Sequence, residues 1–305
     1  MKAGRVVIPV LAVAGLGMTI AIATRSGSKP LTATPATVLA GIDRPNPFRI
    51  GRTLVIPHGG GDALYPEDTL YAYQHSHALG GDVIDLDVQT TTDGVPVAMH
   101  DDTVDRTTNG KGNVHDMTFA EISKLDAGWS FGQDGAFPFR DRGLNVPSVR
   151  DVLAAFPGVL ATLDLKDPRV SAVKPLCRIV QDLNMTDRVY IGVDTTEQVV
   201  EFRKLCPLVR TSGTDAERQA SHAARDRGDD TFRSAQTVDE TLYLAADGTI
   251  RLTKQMIDFA HARNVAVLPW VIDDPATMQQ LVDMGVDGIY TRRPDLLVPI
   301  VMRGH

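Results

Sequence analysis

An excess of basic charge is absent from this sequence. Its 305 residues carry 31 Lys and Arg against 38 Asp and Glu, a formal net charge of −7. That balance excludes long-range attraction to nucleic acid and gives no general reason to dock on anionic lipid. No strand-like run is followed by Gly-x-Gly-x-x-Gly and a helix, so a dinucleotide-binding sheet is not indicated. No segment repeats at a fixed period. Cysteine is scarce: only Cys177 and Cys206 are present. A disulfide between them and two buried free thiols are equally compatible with the sequence.

What is present is ordinary for a globular enzyme, with 43% hydrophobic and 23% charged residues. Lys2 and Arg5 precede an uncharged stretch, 6–23, the pattern of an export signal. Ala21-Ile22-Ala23 offers a cleavage site, while an apolar run of this length also suits an uncleaved anchor. The expectation is a protein secreted or held on the outer face of the cytoplasmic membrane. A Thr/Pro-rich linker is expected over 24–50 and a catalytic domain over 51–305.

From Thr53 onward, short β-rich runs alternate with amphipathic stretches. The runs are 54–57, 82–88, 95–99, 159–165, 188–193, 208–212, 265–271 and 287–290. Helical patterns fall at 67–79, 173–183, 197–205, 253–262 and 275–284. Eight strands alternating with helices in about 250 residues predict an α/β fold, a (β/α)8 TIM barrel. An insertion is expected after the third strand, over 101–146, because this stretch is too long for a plain crossover. The polar stretch 214–240 reads as a surface excursion, and 241–244 as a further candidate strand.

Polar residues stand where buried strands should be apolar. The two-residue period of a strand puts Val83, Asp85 and Asp87 on one face and Ile84, Leu86 and Val88 on the other. Two carboxylates so placed repel each other and lose hydration, which a cation or strong donors must offset. The same reading turns Asp164 and Lys166 inward. Three carboxylates at a barrel mouth suit one hard divalent ion, Mg2+ or Ca2+. The alternative is a structural network in which Lys166 pairs with the aspartates. His58 ends the first strand and His100 the third, so both are expected on the C-terminal rim as an acid–base pair. His75 and His77 read as solvent-facing; His115, His222 and His261 receive no role.

The motifs in order resemble the glycerophosphodiester phosphodiesterase family. They are His58-Gly59-Gly60, Pro66-Glu67-Asp68-Thr69, Asp85-Leu86-Asp87-Val88, His100-Asp101 and Asp105-Arg106-Thr107-Thr108-Asn109-Gly110. Leu163-Asp164-Leu165-Lys166, Trp270, Asp287-Gly288-Ile289-Tyr290-Thr291 and Pro294-Asp295 continue the match. The resemblance implies metal-dependent hydrolysis of a glycerophosphodiester to glycerol phosphate and an alcohol. It implies a metal at Asp85, Asp87 and Asp164, acid–base work by His58 and His100, and Lys166 and Trp270 against the substrate, a small phosphodiester or lysolipid.

Three departures bear on the site. Gly59 stands where the family has a phosphate-clamping arginine, so phosphate contact is expected from glycine N–H groups or from a basic residue of the insertion. Asp85 and Asp164 stand where the family has glutamates. Asp68 replaces an asparagine beside Glu67, a pair that either joins the site or caps the following helix. Two other readings compete. A phospholipase D of the spider-toxin sphingomyelinase D type shares Asp164-Leu165-Lys166 but lacks the run 105–110. The other is a catalytically inactive surface-binding barrel.

Overall fold

Strands and helices alternate along the chain as the hydrophobic runs dictate. The computed structural model describes residues 44–193, 195–240 and 251–303. The first half holds β1 (Leu54–Pro57), α1 (Leu70–Leu79), β2 (Val83–Thr90), β3 (Pro96–Ala98), α2 (Phe119–Ile122), α3 (Val149–Ala155), β4 (Leu160–Leu165) and α4 (Val173–Asp182). Then come β5 (Val189–Val193), α5 (Thr196–Leu205), β6 (Arg210–Thr211), α6 (Asp215–Asp226) and β7 (Val238–Asp239). The chain ends with α7 (Lys254–His261), β8 (Ala266–Val267), α8 (Pro275–Met284), β9 (Gly288–Thr291) and α9 (Pro294–Arg303).

Parallel ladders join β2, β4, β5 and β6 in that order, β7 to β8, and β9 to β1. Backbone bonds cross two of the seams: Asp82 N donates to Val55 O, and Asp287 N to Val267 O. No ladder joins β6 to β7 among the described residues. Eight parallel strands in cyclic order, with helices outside, make a (β/α)8 barrel.

Two strand assignments differ from the sequence reading. The run 95–99 yields β3, which pairs antiparallel with β2 and is not one of the barrel's eight. The missing barrel strand is β7, inside the stretch read as a surface excursion, and α6 precedes it there. β7 has only two residues and polar neighbours, and α6 buries only Ala224. β7 is too short to show a period, and α6, although amphipathic and opened by a Thr214–Glu217 capping box, carries no apolar residue larger than alanine. The candidate strand 241–244 lies outside the described residues.

The outward faces of β2, β4 and β5 pack against the helices through Ile84, Leu86, Val88, Leu163 and Ile191. Barrel interior and N-terminal end are filled by Phe48, Leu54, Ile56, Val83, Tyr190 and Val238. Phe48 comes from the stretch read as linker: residues 44–50 fold under the barrel. Phe48 meets Tyr190 edge-on at 6.3 Å, and Asn46 Nδ2 donates to Thr237 O (2.8 Å) and Asn264 O (3.0 Å). Nearby, Asp287 accepts from Val267 N and faces the His261 ring, both within 2.8 Å, which accounts structurally for two residues of the C-terminal half.

The insertion carries its own apolar cluster, including Val104, Val114, Ile122, Ala127 and Val146, as expected of a small subdomain. Cys177 of α4 and Cys206, which ends α5, form a disulfide. No helix among the described residues is long and apolar enough to cross a membrane. The charged and apolar start and most of the expected linker lie outside them.

Candidate active site

Strand register builds the acidic half of the site. β2 is buried along its whole length, and its Asp85 and Asp87 are 6% and 5% exposed. Asp85 lies opposite Thr162 on β4, and Asp87 opposite Asp164. Thr162 Oγ1 donates to Asp85 Oδ1 at 2.6 Å, and Gly59 N donates to Asp85 Oδ2 at 3.1 Å. Gly192 on β5 leaves room for Asp164: a Cβ there would lie 2.8 Å from Asp164 Oδ1. Lys166 Nζ bonds Asp164 and lies 3.3 Å from Asp87 Oδ1.

These carboxylates are short of positive charge. Burial pushes Asp87 up to about 6; the Lys166 ammonium pulls against it, while Asp85 and Asp164 add to it. Burial also raises Asp85, against the opposing effects of His58, Thr162 and the Gly59 N–H. Lys166 loses hydration, but the two carboxylates beside it hold its proton more firmly than usual. Three carboxylates on adjacent strands are the donors a hard divalent cation takes, and a cation would relieve their repulsion. In the present arrangement Lys166 fills that role. No three acidic or imidazole groups among the described residues converge closely enough to hold an ion.

His58 follows β1 directly, in a 3-10 turn formed by residues 58–60. Its Nδ1 lies 3.4 Å from Asp62 Oδ2. Burial pulls its pKa down, but Asp62, Asp85 and Asp87 outweigh that and push it up to about 9. His100 reaches the same place by a route the sequence did not reveal. β2 runs on past the rim to Thr90, and β3 returns antiparallel, with Met99 N bonded to Asp87 O. His100 is thus carried back to the level of Asp87 by a hairpin. Its Nδ1 meets Asp101 Oδ1 at 2.8 Å.

Arg106 of the insertion braces this side. Its Nε donates to Asp101 Oδ2 at 2.7 Å, and its Nη1 to Glu67 Oε2 at 2.8 Å. Glu67 does not cap α1; Thr69 does, accepting from Ala72 N. Asp68 turns away from the mouth into the protein, where Tyr73 Oη donates to it at 2.6 Å. Burial, with repulsion from Asp87 and Glu67, raises its pKa far above the carboxylate range.

A cavity of about 560 Å³ opens on the C-terminal rim and brings together His58, His100, Asp85, Asp87, Asp164, Lys166 and Trp270. Gly59 and Glu67 line a smaller cavity that shares His58, Asp87 and His100 with it. Sequence reasoning missed the far wall of the larger cavity. Arg218 and His222 of α6 reach it, as do Arg251 and Glu240. Glu240 accepts from Tyr290 Oη at 2.6 Å; loss of hydration and repulsion from Asp164 push it up to about 8. Glu240 immediately follows β7, so only recognition of that strand would have placed it on the rim.

The glycerophosphoryl diester phosphodiesterase family matches residues 58–296. A glycerophosphodiester phosphodiesterase of Caldanaerobacter subterraneus subsp. tengcongensis is 30% identical over 263 residues, covering 83% of this chain and 99% of its own. One from Bacillus subtilis is 29% identical, over 80% of this chain and 85% of its own. Among solved structures, the glycerophosphoryl diester phosphodiesterase domain of an uncharacterised Mycobacterium tuberculosis protein superposes with a TM-score of 0.71 at 18% identity, covering 83% of this chain and 99% of its own. An Oleispira antarctica phosphodiesterase, in complex with the product sn-glycerol-3-phosphate, gives 0.66 at 20% identity, covering 82% and 97%.

Proposed function

The chain belongs to the glycerophosphoryl diester phosphodiesterase family, and on that premise we propose that it hydrolyses a glycerophosphodiester to glycerol phosphate and an alcohol. The observation that carries this reading is the meeting of His58 and His100 beside Asp85, Asp87, Asp164 and Lys166 in one open cavity. Asp85, Asp87 and Asp164 would hold one divalent cation, Mg2+ or Ca2+, only by closing on it with Lys166 displaced from between Asp87 and Asp164. When bound, that ion supplies positive charge against the phosphate oxygens. Lys166 adds a second charge there, and Trp270 gives the substrate an apolar wall.

His58 and His100 move the protons. One removes a proton from the attacking oxygen, of water or of a neighbouring glycerol hydroxyl, and the other protonates the departing alcohol. With no cation bound, Asp62, Asp85 and Asp87 favour the cationic form of His58. His100, oriented through Nδ1 by Asp101, keeps Nε2 for the substrate. Removing either histidine is expected to lower kcat by about 10²–10⁴-fold. The test is turnover of several glycerophosphodiesters by the purified protein, His58→Ala and His100→Ala, with and without chelator. Activity that survives chelation would remove the metal from this scheme. Choline release from sphingomyelin in place of glycerophosphodiester turnover would favour the phospholipase D reading.

The charged and apolar start of the chain supports export, either as a cleaved signal or as an anchor on the outer face of the cytoplasmic membrane. The Cys177–Cys206 disulfide supports the same assignment, since such bonds persist in oxidising compartments.

A further inference from the structure

We infer, resting on the phosphodiesterase reading above, that Arg106 is a positioning residue for the reaction: it aims the His100 ring by locking Asp101 to Glu67 beside the cavity mouth. The two histidines are held differently. His58 sits among Asp62, Asp85 and Asp87 with its side chain 27% exposed. The His100 side chain is 44% exposed, and among the described residues its ring makes one hydrogen bond, from Nδ1 to Asp101 Oδ1. Pairing of β3 with β2 fixes the backbone up to Met99 but leaves the ring its side-chain torsions. Whatever fixes Asp101 therefore fixes the direction of His100 Nε2.

Arg106 takes both oxygens of Asp101: Nε donates to Oδ2 at 2.7 Å and Nη2 to Oδ1 at 3.0 Å. The same guanidinium takes both oxygens of Glu67, with Nη1 donating to Oε2 at 2.8 Å and Nη2 to Oε1. This double fork joins two parts of the chain. Glu67 lies between β1 and α1, on the His58 side, whereas Asp101 and Arg106 belong to the excursion after β3. Ser130 Oγ donates to Arg106 O and holds the arginine's own backbone. The guanidinium is also the main reason that the Asp101 carboxyl lies below its ordinary pKa; burial opposes this, and His100 adds to it. Only a planar fork of donors fits such a geometry, and a lysine ammonium does not reproduce it.

Without the guanidinium, Glu67 and Asp101 face each other with their shared counter-charge gone. Lys166, whose bonds go to Asp164 and Asp87, makes no ion pair with either. The two carboxylates then repel, and Asp101, the more exposed of them, swings toward solvent and releases the His100 ring.

The test uses the full chain, with Mg2+ and Ca2+ supplied in turn, on glycerophosphocholine, glycerophosphoethanolamine and glycerophosphoglycerol. Arg106→Gln is expected to lower kcat by about tenfold or more while KM stays within about twofold. Its melting temperature is expected to stay within about 3 °C of the natural protein's, because half-exposed ion pairs add little to stability. Arg106→Lys keeps the charge and loses the fork, so its kcat is expected between the two; it carries the comparison if Arg106→Gln does not fold. Adding Glu67→Gln to Arg106→Gln removes the repulsion and is expected to raise kcat again by about threefold or more. A kcat for both arginine variants within about twofold of the natural protein's, a loss carried by KM alone, or a double variant no faster than Arg106→Gln overturns the positioning role and leaves phosphodiesterase activity in place. No turnover of any of the three diesters by the natural protein overturns both.

Discussion

The ammonium of Lys166 lies between Asp87 and Asp164, where a divalent cation would compete with it. Each carboxylate is stabilised by whichever positive charge is nearer, so the two cations oppose one another. Lys166→Met is therefore expected to tighten Mn2+ or Ca2+ binding by roughly threefold or more while lowering kcat. Calorimetric titration alongside turnover measures both, and weaker metal binding in the variant would refute the competition. Asp68 illustrates the opposite case. Burial, with repulsion from Asp87 and Glu67, makes its carboxyl hold a proton more tightly than an exposed one, and its bond from Tyr73 Oη faces away from the cavity mouth.

Elements differ in how far the sequence announces them. The helix expected over 275–284 is α8 residue for residue, because Asp274 caps it, Pro275 opens it and Gly285 closes it. β2 and β4 were legible because carboxylates alternate with apolar residues, and that alternation also located Asp85, Asp87 and Asp164. β3 was legible as a strand but not in its direction, which depends on pairing with β2 and leaves no local trace. His100 was thus rightly placed on the rim by reasoning that assumed a parallel strand. β7 is too short to show a period and α6 builds its apolar stripe from alanines alone, so the Glu240 that follows them went unplaced.

The Cys177–Cys206 bridge belongs to this scale as well, tying α4 to the end of α5 across 29 positions. Closing a loop of that length restricts the unfolded chain by about 3–4 kcal/mol. Reduction, or Cys177→Ser with Cys206→Ser, is expected to lower stability by about 2–4 kcal/mol in urea melts. Unchanged melts would mean that the bridge does not limit the unfolded chain.

Across the whole molecule, protonation and the proposed metal binding would be linked. Burial raises Asp87 from 3.8 to about 6 and Glu240 from 4.5 to about 8, while the surrounding carboxylates raise His58 from 6.5 to about 9. All three hold protons more tightly folded than unfolded, so their contribution is present at low pH and is lost as pH rises through each interval. The chelated protein is therefore expected to melt at a lower temperature at pH 9 than at pH 6. Excess Ca2+ should flatten that slope by replacing the protons. A chelated protein that melts higher at pH 9 would show that this site does not govern the pH dependence.

The hairpin that returns His100 has one more consequence. His58 and the three aspartates ride on barrel strands whose register fixes them, whereas His100, Asp101 and Arg106 arrive together on one contiguous excursion with a core of its own. On the proposed reading, one of the two proton-transferring histidines thus rides on a unit whose packing is set apart from the barrel strands. A change that loosens the apolar core around Val104, Val114 and Ile122 would therefore displace His100 while His58 and the strand-borne aspartates stay where they are.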